Sequence, residues 1–223
     1  MIGVKICGIN DPAGFDAAVG AGADWIGFVF FPPSPRFVTP HAAASLSARI
    51  HGGPLRVGLF VEPAPDVIAE ALDRVGLDIL QIYGAAEHLP AIRDRFGLPV
   101  WRAFGISRPD DLPDDPGLSG ALVLEAKPPA EADRPGGNGA RFDWRILRGW
   151  QAPLPWLLAG GLTPDNVATA IEEAGARAVD VSSGVERTRG VKDPAMIQAF
   201  VRAAKAADKK AQNRQSESRR SIA

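Results

Sequence analysis

Eight short apolar runs recur along the chain, separated by segments of helical spacing, and this alternation constrains the fold more than any other feature. The runs are Val4–Cys7, Trp25–Phe30, Leu55–Val61, Asp78–Tyr83, Pro99–Phe104, Ala121–Glu125, Trp156–Ala159 and Ala178–Val181. Each is bounded by Gly, Pro or polar residues, as buried strands are. Asp11-Pro12 opens a helix through Ala21, and Thr39-Pro40 opens another through Ile50, each with a capping side chain before a proline in the first turn. Pro65–Val75 carries Val67, Ile68, Ala71, Leu72 and Val75 on one stripe. Ala85–Phe96 and Thr163–Ala174 read as helices, and Asp193-Pro194 starts a last one to about Ala207. Between Ile106 and Leu118, Pro109, Pro113 and Pro116 leave room for a short helix only. Strands alternating with helices imply parallel βαβ units, and about 205 residues for eight of them suits a single-domain (β/α)8 TIM barrel. The competing doubly wound sheet would need a dinucleotide fingerprint. Gly136-Gly137-Asn138-Gly139 lacks that spacing.

Composition narrows the class of partner. Lys plus Arg number 25 against 26 Asp plus Glu, so a near-neutral chain gives no reason to expect nucleic acid or a charged membrane surface. No apolar run approaches the roughly 18 residues of a membrane span, and Val4 follows no basic leader. The single cysteine, Cys7, excludes an internal disulfide and fits a reducing, cytoplasmic setting. His41, His51 and His88 lie far apart, so no metal site is expected. Residues 208–223 are basic and polar, with Lys209, Lys210, Arg214, Arg219 and Arg220, and read as a disordered tail after a catalytic domain spanning 1–207.

Side chains alternate across a strand, which sorts the candidates for chemistry. Lys5 and Cys7 share one face against Val4 and Ile6. Gln81 and Tyr83 oppose Leu80 and Ile82; Val123 and Glu125 oppose Leu122 and Leu124; Asp180 and Ser182 oppose Val179 and Val181. The apolar set must meet the helices, so the polar set points into the barrel. Cys7, Glu125 and Ser182 then fall near the C-terminal strand ends, where barrel active sites lie. A buried cysteine or a strand-end glutamate is often plain packing or rim; their convergence on one mouth points to chemistry. Ala159-Gly160-Gly161-Leu162 follows the seventh strand and Ser182-Ser183-Gly184-Val185 the eighth. Such glycines also make ordinary tight turns. Together after strands 7 and 8, they match the usual phosphate site of a barrel and predict a small phosphorylated substrate held by Gly160, Gly161, Ser182, Ser183 and Gly184.

With those residues assembled, the chain resembles the phosphoribosylanthranilate isomerases of tryptophan biosynthesis. The resemblance rests on Lys5-Ile6-Cys7-Gly8-Ile9, on Gly27-Phe28-Val29-Phe30 leading to Ser34-Pro35-Arg36, and on Gly136–Gly139 with Phe142-Asp143-Trp144. It continues through Ala159–Leu162 with Asn166-Val167, then Val179–Glu186 and Gly190-Val191-Lys192-Asp193, covering about residues 2 to 203. It implies a (β/α)8 barrel, monomer or homodimer, with no metal and no cofactor. The implied reaction is an Amadori rearrangement of N-(5'-phosphoribosyl)anthranilate, with Cys7 as general base and Glu125 as general acid. Arg36 would meet the anthranilate carboxylate, the two glycine loops the phosphate, and Asp180 the sugar as a secondary contact. Two positions depart from the family: Glu125 stands where Asp is usual, and Tyr83 where His is usual. The first adds about 1.5 Å of reach; the second is expected to alter packing at the rim. A histidine-pathway aminoaldose–aminoketose isomerase and a non-catalytic phosphate-binding barrel are the competing readings.

Overall fold

The computed structural model describes residues 1–84, 86–128 and 139–220, with Ala86 and residues 208–220 described by backbone alone. The strands are β1 (Gly3–Cys7), β2 (Trp25–Val29), β3 (Leu55–Val61), β4 (Ile79–Tyr83), β5 (Val100–Ile106), β6 (Ala121–Ala126), β7 (Trp156–Leu158) and β8 (Ala178–Val181). All pair in parallel and in sequence order, and β8 returns to β1 to close the barrel. Closure leaves no sheet edge to protect. The eight expected runs are these eight strands, shifted by at most two residues at an end.

The helices are α1 (Pro12–Ala21), α2 (Pro40–Ser47), α3 (Pro65–Arg74), α4 (Leu89–Phe96), α5 (Val167–Ala174) and α6 (Pro194–Arg220). Asp11 caps α1 by accepting from the Gly14 N–H at 2.9 Å, and Thr39 caps α2 by accepting from Ala42 at 3.2 Å. After β5 there is only the turn Pro109–Asp111, in keeping with the prolines there; after β6, the described residues form the turn Trp144–Leu147. The segment expected as one helix over 85–96 is a turn, Ala86–His88, followed by α4. Helix α5 starts at Val167 rather than at Thr163. The Asn166 side chain accepts from the Thr163 N–H at 2.8 Å and donates to the Gly161 carbonyl at 2.9 Å, tying the preceding residues to the β7 loop instead. Helix α6 continues past Ala207 to Arg220, so the basic segment from 208 is continuous with it in backbone. Lys, Arg, Gln and Ala favour helix, and no Gly or Pro stops it. A hairpin of β9 (Glu186–Thr188) and β10 (Val191–Lys192), absent from the sequence reading, crosses beside the barrel mouth. Gly136-Gly137-Asn138 lies outside the described residues.

The alternation sorts the core into two compartments. Val4, Ile6, Leu80, Ile82, Leu122, Leu124, Val179 and Val181 are buried between strands and helices. Inside the barrel floor sit Val57, Ile79, Trp101, Val123 and Leu157, with Trp25 edge-on to Trp101 at 5.4 Å between ring centres. Above that floor, polar side chains including Glu125 and Asp180 share the interior with an apolar side of Val29, Leu59 and Val61. Among the described residues, no helix is long and apolar enough to cross a membrane.

Candidate active site

On β1, Lys5 and Cys7 point inward, as their alternation requires, and β1 pairs with β8 so that Lys5 lies beside Asp180. The Lys5 ammonium is wholly buried and donates to both carboxylate oxygens of Asp180, at 3.0 and 3.1 Å. Buried charges persist only when paired. Burial by itself would lower the Lys5 pKa, but Asp180 and the neighbouring Cys7 raise it above the ordinary value, so Lys5 stays cationic. Cys7 feels the opposite set. Burial pushes its thiol up, the Lys5 ammonium pulls it down, the Asp180 charge pushes it up again, and the net direction is upward. Gly27 on β2 faces this pair, and a Cβ there would stand 2.9 Å from the Cys7 sulfur and 3.3 Å from Lys5 Cε. Only glycine fits.

A second charged cluster supports the mouth. The Glu186 carboxylate accepts from Arg36 Nε at 2.6 Å and Nη2 at 3.0 Å, from Lys192 Nζ at 2.9 Å and from the Gly190 N–H at 2.9 Å. Burial would raise its pKa, yet these donors hold it down at about 2. Lys192 is 2% exposed, and burial takes it below the ordinary lysine value despite Glu186. Its ammonium also donates to the Ser182 carbonyl at 2.8 Å, while the Ser182 hydroxyl donates to the Cys7 carbonyl at 3.1 Å. Glu186 and Lys192 went unassigned at the sequence level beyond their place in the family pattern. Their one local signal is a glutamate and a lysine bracketing the tight turn at Gly190.

These elements frame a cleft of about 790 Å³, including space open to solvent, at the C-terminal ends of the strands. Cys7, Arg36, Glu125, Gly160, Gly161, Asp180, Ser182 and Ser183 line it, as does Tyr83. Gly184, expected among the phosphate ligands, does not. A Cβ there would lie 1.7 Å from the Leu162 carbonyl, so its smallness lets the loop pack against its neighbour. Gly161 has φ +63°, and a Cβ would strike Arg141 Cγ at 2.1 Å and the Ala140 carbonyl at 2.9 Å. That geometry packs the Gly161 backbone against Gly139–Arg141. Among the described residues, no cluster of His, Cys, Asp and Glu is arranged to hold a metal ion.

Residues 4–203 match the family model described as N-(5'phosphoribosyl)anthranilate (PRA) isomerase. The chain belongs to that family. Its similarity to the N-(5'-phosphoribosyl)anthranilate isomerase of Acidiphilium cryptum is 55% identity over 208 residues, covering 93% of this chain and all of the other. The crystal structure of the isomerase from Thermotoga maritima superposes with a TM-score of 0.79 at 33% identity, over 92% of this chain and 100% of that one. A phosphoribosyl anthranilate isomerase in complex with reduced 1-(o-carboxyphenylamino)-1-deoxyribulose 5-phosphate gives 0.76 at 32% identity, with the same coverage. The two departures from the family pattern, Glu125 and Tyr83, both line this cleft.

Proposed function

We propose that this chain isomerises N-(5'-phosphoribosyl)anthranilate to 1-(2-carboxyphenylamino)-1-deoxyribulose 5-phosphate, with Cys7 as general base and Glu125 as general acid. Both side chains face one cleft from opposite parts of the barrel, and that convergence carries the reading. Glu125 protonates the furanose ring oxygen, the C1–O bond breaks, and the ring opens to a Schiff base. The Cys7 thiolate then takes the proton from C2, giving an enolamine that tautomerises to the ketone. Electrons move only within the substrate, and the protein handles only protons.

A thiol raised in pKa is a stronger base once ionised, and the buried Lys5 ammonium is the group that makes ionisation accessible. Arg36, clamped by Glu186, is the cation for the anthranilate carboxylate, a planar charge-assisted pairing. Backbone groups at Gly160 and Gly161, with Ser183, form the phosphate cradle. Ser182 contributes chiefly by holding the Cys7 carbonyl. Asp180 keeps Lys5 in place and faces the sugar.

The test is the loss of anthranilate-type fluorescence with freshly generated substrate, for the parent, Cys7→Ser and Glu125→Gln. Turnover by the parent with at least a hundredfold loss in each variant is expected, on the roughly 10²–10⁴-fold scale of general acid–base catalysis. Tight product binding without turnover by the parent would instead mark a binding protein.

A further inference from the structure

Lys192 on β10 carries a buried charge to which the proton transfers above give no task. It does not line the cleft, but its partner Ser182 does. An ammonium has three donors, and here each meets an acceptor: Glu186 Oε1 at 2.9 Å, the Ser182 carbonyl at 2.8 Å and the Ser182 hydroxyl oxygen at 3.3 Å. These partners lead to two different groups of the cleft. Through Glu186, Lys192 reaches Arg36, whose guanidinium that carboxylate holds by two bonds, at 2.6 and 3.0 Å. Through Ser182 it reaches the turn Ser183–Val185, whose first residue lines the cleft together with Gly160 and Gly161. The β9–β10 hairpin that carries Glu186 and Lys192 is itself seated on the loops of the mouth. The Asn10 side chain donates to the Gly190 carbonyl at 3.3 Å, and a Cβ on Gly190 would lie 2.5 Å from the Pro35 carbonyl.

We propose that Lys192 is a positioning residue that fixes the spacing between Arg36 and the loop at Ser183, and so selects ligands that carry a carboxylate and a phosphate at one separation. The inference rests on the reading above, in which Arg36 takes the carboxylate and Ser183 the phosphate. A ligand with two anionic ends gains from its second contact only when the two sites stand at the matching span, and the gain is lost when the geometry forbids simultaneous engagement. Removing the Lys192 ammonium leaves each site with its own supports. Arg36 keeps both bonds to Glu186, which keeps the Gly190 N–H, and Ser182 keeps its bond to the Cys7 carbonyl. The link between the two sites is what disappears. A two-ended ligand then weakens, while a ligand that uses one site alone binds as before. Loss of one hydrogen bond from a charged donor corresponds to about a tenfold effect.

The experiment measures kcat, KM and thermal midpoint for the full chain, Lys192→Met and Arg36→Gln, with competitive inhibition by three probes. These are the product 1-(2-carboxyphenylamino)-1-deoxyribulose 5-phosphate, anthranilate alone and inorganic phosphate alone. Lys192→Met keeps the unbranched stem and removes the ammonium, and Lys192→Gln serves if the Met variant does not fold. The expected result for Lys192→Met is a rise of about tenfold in KM and in the product inhibition constant, with kcat held within about threefold. Inhibition by anthranilate and by phosphate should each stay within about twofold of the parent. A general loosening of the mouth would weaken the one-ended probes as well. Substrate and product binding left within about twofold of the parent overturns the positioning role, as does a loss confined to kcat. Equal weakening of the product and of either one-ended probe confines Lys192 to that one site and also overturns it. In Arg36→Gln, inhibition by anthranilate should weaken while inhibition by phosphate persists. The reverse pattern removes the assignment of the two sites itself, and the proposal with it.

Discussion

Replacing Glu186 by Gln tests how the mouth is held together. The carboxylate sits at about 2, against an ordinary glutamate value of 4.5. That gap of about 2.5 pKa units corresponds to about 3 kcal/mol favouring the folded, ionised state. The folded-state value is depressed, so this stability is fully present above about 4.5 and is lost as pH falls through about 2. The variant keeps the shape but leaves Lys192, at 2% exposure, buried without its counter-charge. Breaking a buried pair from one side costs about 3–5 kcal/mol, in agreement with the pKa gap. Urea unfolding followed by tryptophan fluorescence should show Glu186→Gln about 3 kcal/mol less stable near pH 7, a fall of roughly 6–12 °C in Tm for a chain this size. Less than half of that difference should survive near pH 3, within the window in which the parent's own Glu186 takes up a proton. The variant should also raise KM more than it lowers kcat, because Arg36 loses its clamp. A parent–variant difference below about 1 kcal/mol at neutral pH, or one independent of pH, would refute the reasoning.

Other consequences follow from the same geometry. Cys7 is the chain's one cysteine, so iodoacetamide labelling reports it alone. Its labelling rate should still be rising above pH 9, and Lys5→Met should move the curve further up; superimposable curves would remove Lys5 from the account. Gly161→Ala should cost about 1–3 kcal/mol of stability and raise KM, since its left-handed backbone and a 2.1 Å clash with Arg141 both resist a Cβ. Wild-type stability and KM in that variant would dissociate the loop from phosphate binding.

The barrel was legible because its determinants are local. Strand alternation has period two, so the inward set of Lys5, Cys7, Gln81, Tyr83, Glu125, Asp180 and Ser182 could be written down before any strand was paired. The capping pairs Asp11-Pro12 and Thr39-Pro40 likewise start their helices where expected. Thr163 failed as a cap because Asn166 folds back onto the β7 loop, a contact that no propensity encodes. Gly184 does not line the cleft, because its backbone packs against the Leu162 carbonyl.

The sequence by itself determined the eight barrel strands, the inward faces and the glycine loops, since each follows from the pattern of neighbouring residues. Only the tertiary structure decided who meets whom inside the barrel. Lys5 finds Asp180 because β8 closes onto β1, 175 residues away along the chain. Arg36 finds Glu186 across 150 residues. Charges this far apart in sequence acquire partners only through closure, and closure also strips away the water that would otherwise satisfy them.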